Sequence, residues 1–130
     1  MKNRLLLVLT VFFGLLVFAD PALSAESLKI VEHEKVCMVT DMYFGKKQIP
    51  VSNGGKTYYG CCENCKETLS KDSKARTAID PVTGKPVDKA KAVIAARSDN
   101  SVIYFENKKT FEQFSKIQSP NSAHGEHTQH

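Results

Sequence analysis

The chain has 130 residues, a formal net charge of +4 and no tryptophan. That length holds at most one ordinary domain or two very small ones. Its 18 basic and 14 acidic residues are interspersed, with no arginine-rich stripe and no alternation of aromatic and basic residues, which argues against nucleic-acid binding.

Residues 1–25 read as a secretory leader. Lys2 and Arg4 give a basic start, and Leu5 to Ala19 is an uncharged run of 15 residues. Ala22-Leu23-Ser24-Ala25 supplies small residues for cleavage after Ala25. The run is short for a membrane span, although an uncleaved anchor is the alternative. The expected mature chain starts at Glu26, carries no stable membrane span and works in the periplasm or outside the cell.

Ser27 to Val36 is a lead-in strand or loop containing His33. Cys37 follows. Gln48-Ile49-Pro50-Val51 is extended, Ser52-Asn53-Gly54-Gly55 is a turn, and Lys56-Thr57-Tyr58-Tyr59-Gly60 is β-prone, so the pair predicts a hairpin. Cys62 to Lys71 has good helix formers, with Cys65 and Leu69 on one face. Cys61 or Cys62 then stands at the helix start, where unpaired N–H groups favour an anionic sulfur.

The second half opens at Ala78 with the turn-rich Asp80-Pro81-Val82-Thr83-Gly84-Lys85-Pro86-Val87. Ala92 to Ala95 and Ser101 to Phe105 are predicted strands. Lys108 to Ile117 is a predicted helix whose Phe111, Phe114 and Ile117 share the spacing of a core face. From Ser119 the composition turns polar, and disorder is expected. His124, His127 and His130 recur there at every third position. The halves resemble one another: Tyr58 to Cys65 aligns with Ile103 to Thr110, and Cys37 with Thr83. The expected class is α+β, with two packed hairpin-plus-helix copies. These are a cysteine-bearing copy over residues 26–77 and a copy without cysteine over 78–118, followed by the histidine-containing tail, 119–130.

Four cysteines in an exported chain ordinarily suggest two disulfides. Here Cys61 and Cys62 are adjacent, and only Cys37 lies away from the cluster, so at most one long-range bridge can form. Thiolates are soft ligands that suit zinc or copper(I). Cys37, Cys61 and Cys65 supply three sulfurs. The fourth position falls to Cys62, to His33, or to a small ligand or partner. Met38 and Met42 are core candidates that could add thioethers. Imidazoles of the tail could collect metal.

These residues resemble the YHS and TRASH domains, small modules associated with heavy-metal handling. Their pattern is an early cysteine, a hairpin ending in paired aromatics, and C-x3-C opening a helix; here it is Cys37, Tyr58-Tyr59, Cys61 and Cys65. Asp80-Pro81-Val82-Thr83-Gly84-Lys85-Pro86-Val87 matches the opening that YHS modules carry as D-P-V-C-G-x-x-V. The resemblance covers Val36 to Phe114. It implies treble-clef-like units, one bound soft metal ion, and a role in metal carriage, sequestration or resistance alongside a metal-transport or metal-efflux protein. The chain departs from the pattern in the 23 residues between Cys37 and Cys61, in the extra Cys62, and in Thr83 where a cysteine stands.

Two other readings stay open. Cys62-Glu63-Asn64-Cys65 is a C-x-x-C at a helix start, the setting of thiol–disulfide exchange, though the surrounding βαβ order is missing. The cysteines could instead staple an interaction module. No Gly-rich phosphate loop, H-E-x-x-H or G-x-S-x-G is present, and the reading is non-enzymatic.

Overall fold

The structure, a computed structural model, describes residues 26–119. The expected leader and the tail histidines lie outside them. Among the described residues, nine short strands and two α-helices form an α+β fold. β1 (Lys29–Ile30) precedes a strand pair, β2 (Val36–Cys37) with β3 (Met42–Tyr43). The hairpin β4 (Ile49–Asn53) and β5 (Lys56–Gly60) leads into α1 (Glu63–Lys71). The same order then repeats: the pair β6 (Thr77–Ile79) and β7 (Pro86–Asp88), the hairpin β8 (Val93–Ala96) and β9 (Val102–Phe105), and α2 (Lys108–Gln118). Every pairing is antiparallel.

Local chemistry explains these elements. Asn53 pairs with Lys56 across Gly54 and Gly55, whose φ angles are +59° and +74°. Two consecutive positive φ values define the tight turn that matches strand twist, and glycine adopts them without steric cost. Pro50 lies exposed in β4, a strand that pairs only with β5, where a missing N–H is tolerated. α2 starts at a capping box: the Thr110 N–H donates to Asn107 Oδ1 at 3.1 Å while the Asn107 N–H faces Thr110 Oγ1.

One core joins both halves. Val36, Met38, Val51, Tyr58 and Leu69 pack with Val87, Ile94, Val102 and Tyr104. Met38 is wholly buried there. A smaller cluster holds α2 in place, with Phe111 and Phe114 lying 5.5 and 5.4 Å from Phe105 between ring centroids. Ile117, expected on the same face, is 76% exposed. It lies in the last turn, where α2 has run past the cluster. The halves also share backbone: β1 adds to β8 in the sheet β1-β8-β9, and Met42 bridges to Ser101. Among the described residues no helix is long and apolar enough to cross a membrane.

Candidate metal centre

The hairpin delivers the chain to Cys61 and Cys62, and α1 turns Cys65 inward. Cys62 is the residue preceding α1, with extended backbone at φ −154° and ψ 174°, and Cys65 lies in the first turn. Cys65 and Leu69 are the buried residues of α1, and both face the hairpin side of the core. Gly60 permits this approach. A methyl group there would lie 2.9 Å from Cys65 Cβ and 3.2 Å from the backbone of Cys65 and Lys66. The Met38 N–H donates to the Tyr59 carbonyl at 2.8 Å. That bond sets the end of β2, and with it Cys37, beside the end of β5.

Three sulfurs converge. Cys37, Cys61 and Cys65 each place Sγ within 4.8 Å of the other two. Cys65 Sγ lies 3.8 Å from Cys37 Sγ and 3.6 Å from Cys61 Sγ. A tetrahedral ion with metal–sulfur bonds of about 2.3 Å sets its ligands about 3.8 Å apart. The group could therefore hold a metal ion. Cys62 Sγ is 3.5 Å from Cys65 Sγ, at the edge of the three. His33 is not among the converging ligands; its Nε2 is buried with no partner among the described residues. All four cysteines are free thiols.

The sulfurs differ electrostatically. Burial alone would raise the Cys37 thiol, but the Thr40 hydroxyl and the N–H groups of Thr40, Val39 and Cys61 favour its thiolate and bring it down to about 7. Burial, followed by the other three thiols, pushes Cys65 up to about 12. Cys61 is raised by its contact with Cys37 and then by burial. The amide and thiol of Cys65 lower Cys62. Exposure differs too: Cys37 and Cys65 are buried, whereas Cys61 and Cys62 face solvent. A cavity of about 280 Å³ opens beside Cys61, lined by Phe44, Lys46, Lys47, Gln48 and Ile49.

The second half holds a counterpart without sulfur. Asp80 is fully buried. Its Oδ1 accepts from the Val82 and Thr83 N–H groups at 2.7 and 3.3 Å, and its Oδ2 from the Glu106 N–H at 2.7 Å. The Thr110 side chain adds to these. Cys37 faces the N–H groups two and three residues on, and that of Cys61, in the same way. Cys37 therefore corresponds to Asp80, Cys61 to Glu106 and Cys65 to Thr110. The sequence alignment, which set Thr83 opposite Cys37, is off by three. The turn after β6 spans six residues and that after β2 spans four, and the Thr83 hydroxyl turns back to the Lys85 N–H.

Sequence reasoning missed the supports of the centre. Thr40 and Val39 read only as the flank of Cys37, and Gly60 as the end of a strand. The chain matches no protein-family model, no curated protein and no solved structure.

Proposed function

We propose that this protein is a non-enzymatic carrier or sequestering protein for a soft metal ion, zinc or copper(I), held as cargo by Cys37, Cys61 and Cys65. Cys62 is the auxiliary thiol through which the ion enters and leaves. On this reading residues 26–77 form a unit of the YHS/TRASH kind, and the protein acts after export, in the periplasm or outside the cell, beside a metal-transport or metal-efflux protein. The observation that carries the proposal is the convergence of two buried sulfurs and one exposed sulfur within 4.8 Å. A staple or a two-cysteine redox site has no need of that third sulfur.

Cargo is favoured over a purely structural ion by the comparison of the two halves. In the second half a carboxylate ties the turn to the helix start with protein groups alone. In the first, the Cys37 sulfur has the corresponding amides around it. The fold is therefore expected to persist without metal, unlike a zinc finger, whose folding depends on its ion. The exposed Cys61 and the cavity beside it leave room for an incoming ligand.

The test is titration of the reduced mature chain with zinc and with copper(I) against a competing chelator. One equivalent should bind, the metal-free protein should keep its circular dichroism spectrum, and Cys37→Ser or Cys65→Ser should abolish uptake. A reduced protein that binds no metal, or one that unfolds when stripped, overturns the carrier reading. A Cys62–Cys65 disulfide in protein purified without reductant, together with failure to bind metal after reduction, would transfer the site to thiol–disulfide exchange.

A further inference from the structure

Among the described residues, Lys89 is the one buried cationic side chain, 4% exposed. It belongs to the second half, directly after β7. Its Nζ donates to the Met38 carbonyl at 2.8 Å, 51 positions away in the chain, and to Asp41 Oδ1 at 2.7 Å. The Tyr104 ring covers a third side, 4.9 Å from centroid to Nζ. The Tyr104 hydroxyl donates to the same Asp41 oxygen at 2.8 Å. Met38 and Asp41 are the first and last residues of the turn between β2 and β3. That turn follows Cys37 and contains Val39 and Thr40, whose N–H groups face the Cys37 sulfur.

We infer that Lys89 is a positioning residue of the metal centre, a clamp reaching across from the second half that holds both ends of the turn and so keeps Cys37 aimed at Cys61 and Cys65. The inference rests on the proposed metal reading. A buried ammonium is strongly unfavourable unless paired and hydrogen-bonded. Here the donations of Nζ to protein groups all go to the Cys37 turn. Asp41 has a φ of +53°, in the left-handed region that Asp visits more readily than most non-glycine residues, and the bonds from Lys89 and Tyr104 fix it there. The Val102 N–H, donating to the Asp41 carbonyl at 2.9 Å, grips the same residue from β9. The turn carrying Asp80 has no comparable clamp among the described residues; it closes on its own groups through Asp80 N–H to Lys85 O, Gly84 N–H to Asp80 O, and the Asp80 carboxylate. The turn that holds Cys37 is gripped from the other half, whereas the turn that holds Asp80 is closed within its own; the donations of Lys56 and Tyr58 to Asp88 fall on β7, beyond that turn. Groups that orient metal ligands from behind change metal affinity about 10- to 100-fold when removed.

The experiment compares the reduced wild type with Lys89→Met, Lys89→Arg and Tyr104→Phe. Zinc affinity is measured by chelator competition, the cobalt(II) absorption spectrum reports ligand geometry, and circular dichroism reports the metal-free fold. Lys89→Met should keep its fold, lose about 10- to 100-fold in zinc affinity and show altered cobalt bands. Lys89→Arg should regain part of the loss. Tyr104→Phe, which removes one bond to Asp41 and leaves the lysine, should move in the same direction by less. A folded Lys89→Met that binds zinc like the wild type with unchanged cobalt bands overturns the clamp and leaves the metal reading standing. If Lys89→Met does not fold, Tyr104→Phe decides: wild-type affinity and spectrum there overturn the clamp, and a weakened, altered site supports it. A wild type that takes up no metal overturns both.

Discussion

At Cys37 burial and hydrogen bonding oppose one another, and hydrogen bonding wins, bringing the thiol to about 7. Cys61 and Cys65 move the other way, Cys65 to about 12. Metal binding requires thiolates, so it must expel whatever protons the sulfurs hold. The sign follows directly. On the carrier reading, at neutral pH the metal-free protein keeps protons on Cys61 and Cys65, and binding releases both. Below pH 7 Cys37 is protonated as well, and a third proton leaves. Apparent affinity should therefore climb about a thousandfold per pH unit below pH 7 and about a hundredfold per unit above it. Calorimetry in buffers of different ionisation enthalpy counts these protons. The same count at about pH 6 and about pH 8 would show that Cys37 is not the sulfur tuned to neutrality.

The β4–β5 hairpin and α1 position the centre through one close contact, Gly60 against Cys65. Gly60→Ala places a methyl carbon 2.9 Å from Cys65 Cβ, with backbone atoms 3.2 Å away. Neither neighbour is the far end of a flexible side chain, so the helix start must shift. Overpacking of this kind costs about 1–3 kcal/mol. The variant should unfold at lower denaturant and, on the carrier reading, bind zinc more weakly, because the shift displaces Cys65. Unchanged affinity would mean that Cys65 follows the helix without leaving the other sulfurs.

Much at this scale was legible beforehand. Asn53-Gly54-Gly55 dictates the turn, and the breaker-free run after Cys62 dictates α1. The tight spacing of Cys61 and Cys65 on a helix start also pointed to convergence. The need for glycine at position 60 was not legible, because it depends on how closely α1 approaches. The correspondence of Cys37 with Asp80 was hidden by turns of unequal length. Lys89 sits in Asp88-Lys89-Ala90-Lys91, a stretch that reads as ordinary solvated charge; its burial follows from where the other half places Asp41 and Met38.

Across the whole molecule, one core and one shared sheet bind the halves together, and Asp80 is the carboxylate that holds the second. Asp80→Ala leaves the N–H groups of Val82, Thr83 and Glu106 without their acceptor. An unsatisfied buried group costs about 1–3 kcal/mol. Val82 is half-buried and Thr83 and Glu106 are exposed, so water can take over part of these bonds, and the variant should lose about 1–3 kcal/mol in denaturant unfolding without metal present. Hydrogen bonds from these amides hold the Asp80 carboxyl below its usual range despite burial. A depressed folded-state pKa contributes stability that is present above the unfolded value, about 3.9, and is lost as pH falls through the folded value. Acid titration of Asp80→Asn should therefore be flatter below about pH 4 than that of the wild type. Parallel curves would place the acid-sensitive carboxylates elsewhere, with Asp88, also depressed and paired with Lys56, as the next candidate.

The burial of two sulfurs and the exposure of the third has a consequence for traffic. An ion held by Cys37, Cys61 and Cys65 would have its doorway on the face where Cys61 and Cys62 are exposed and a cavity opens beside Cys61. On the carrier reading, the protein that loads the ion and the protein that receives it must use that doorway in turn. The loaded chain has to let go of its donor and diffuse before delivery, so the flux it supports depends on the number of free carriers and on how long each keeps its ion between encounters.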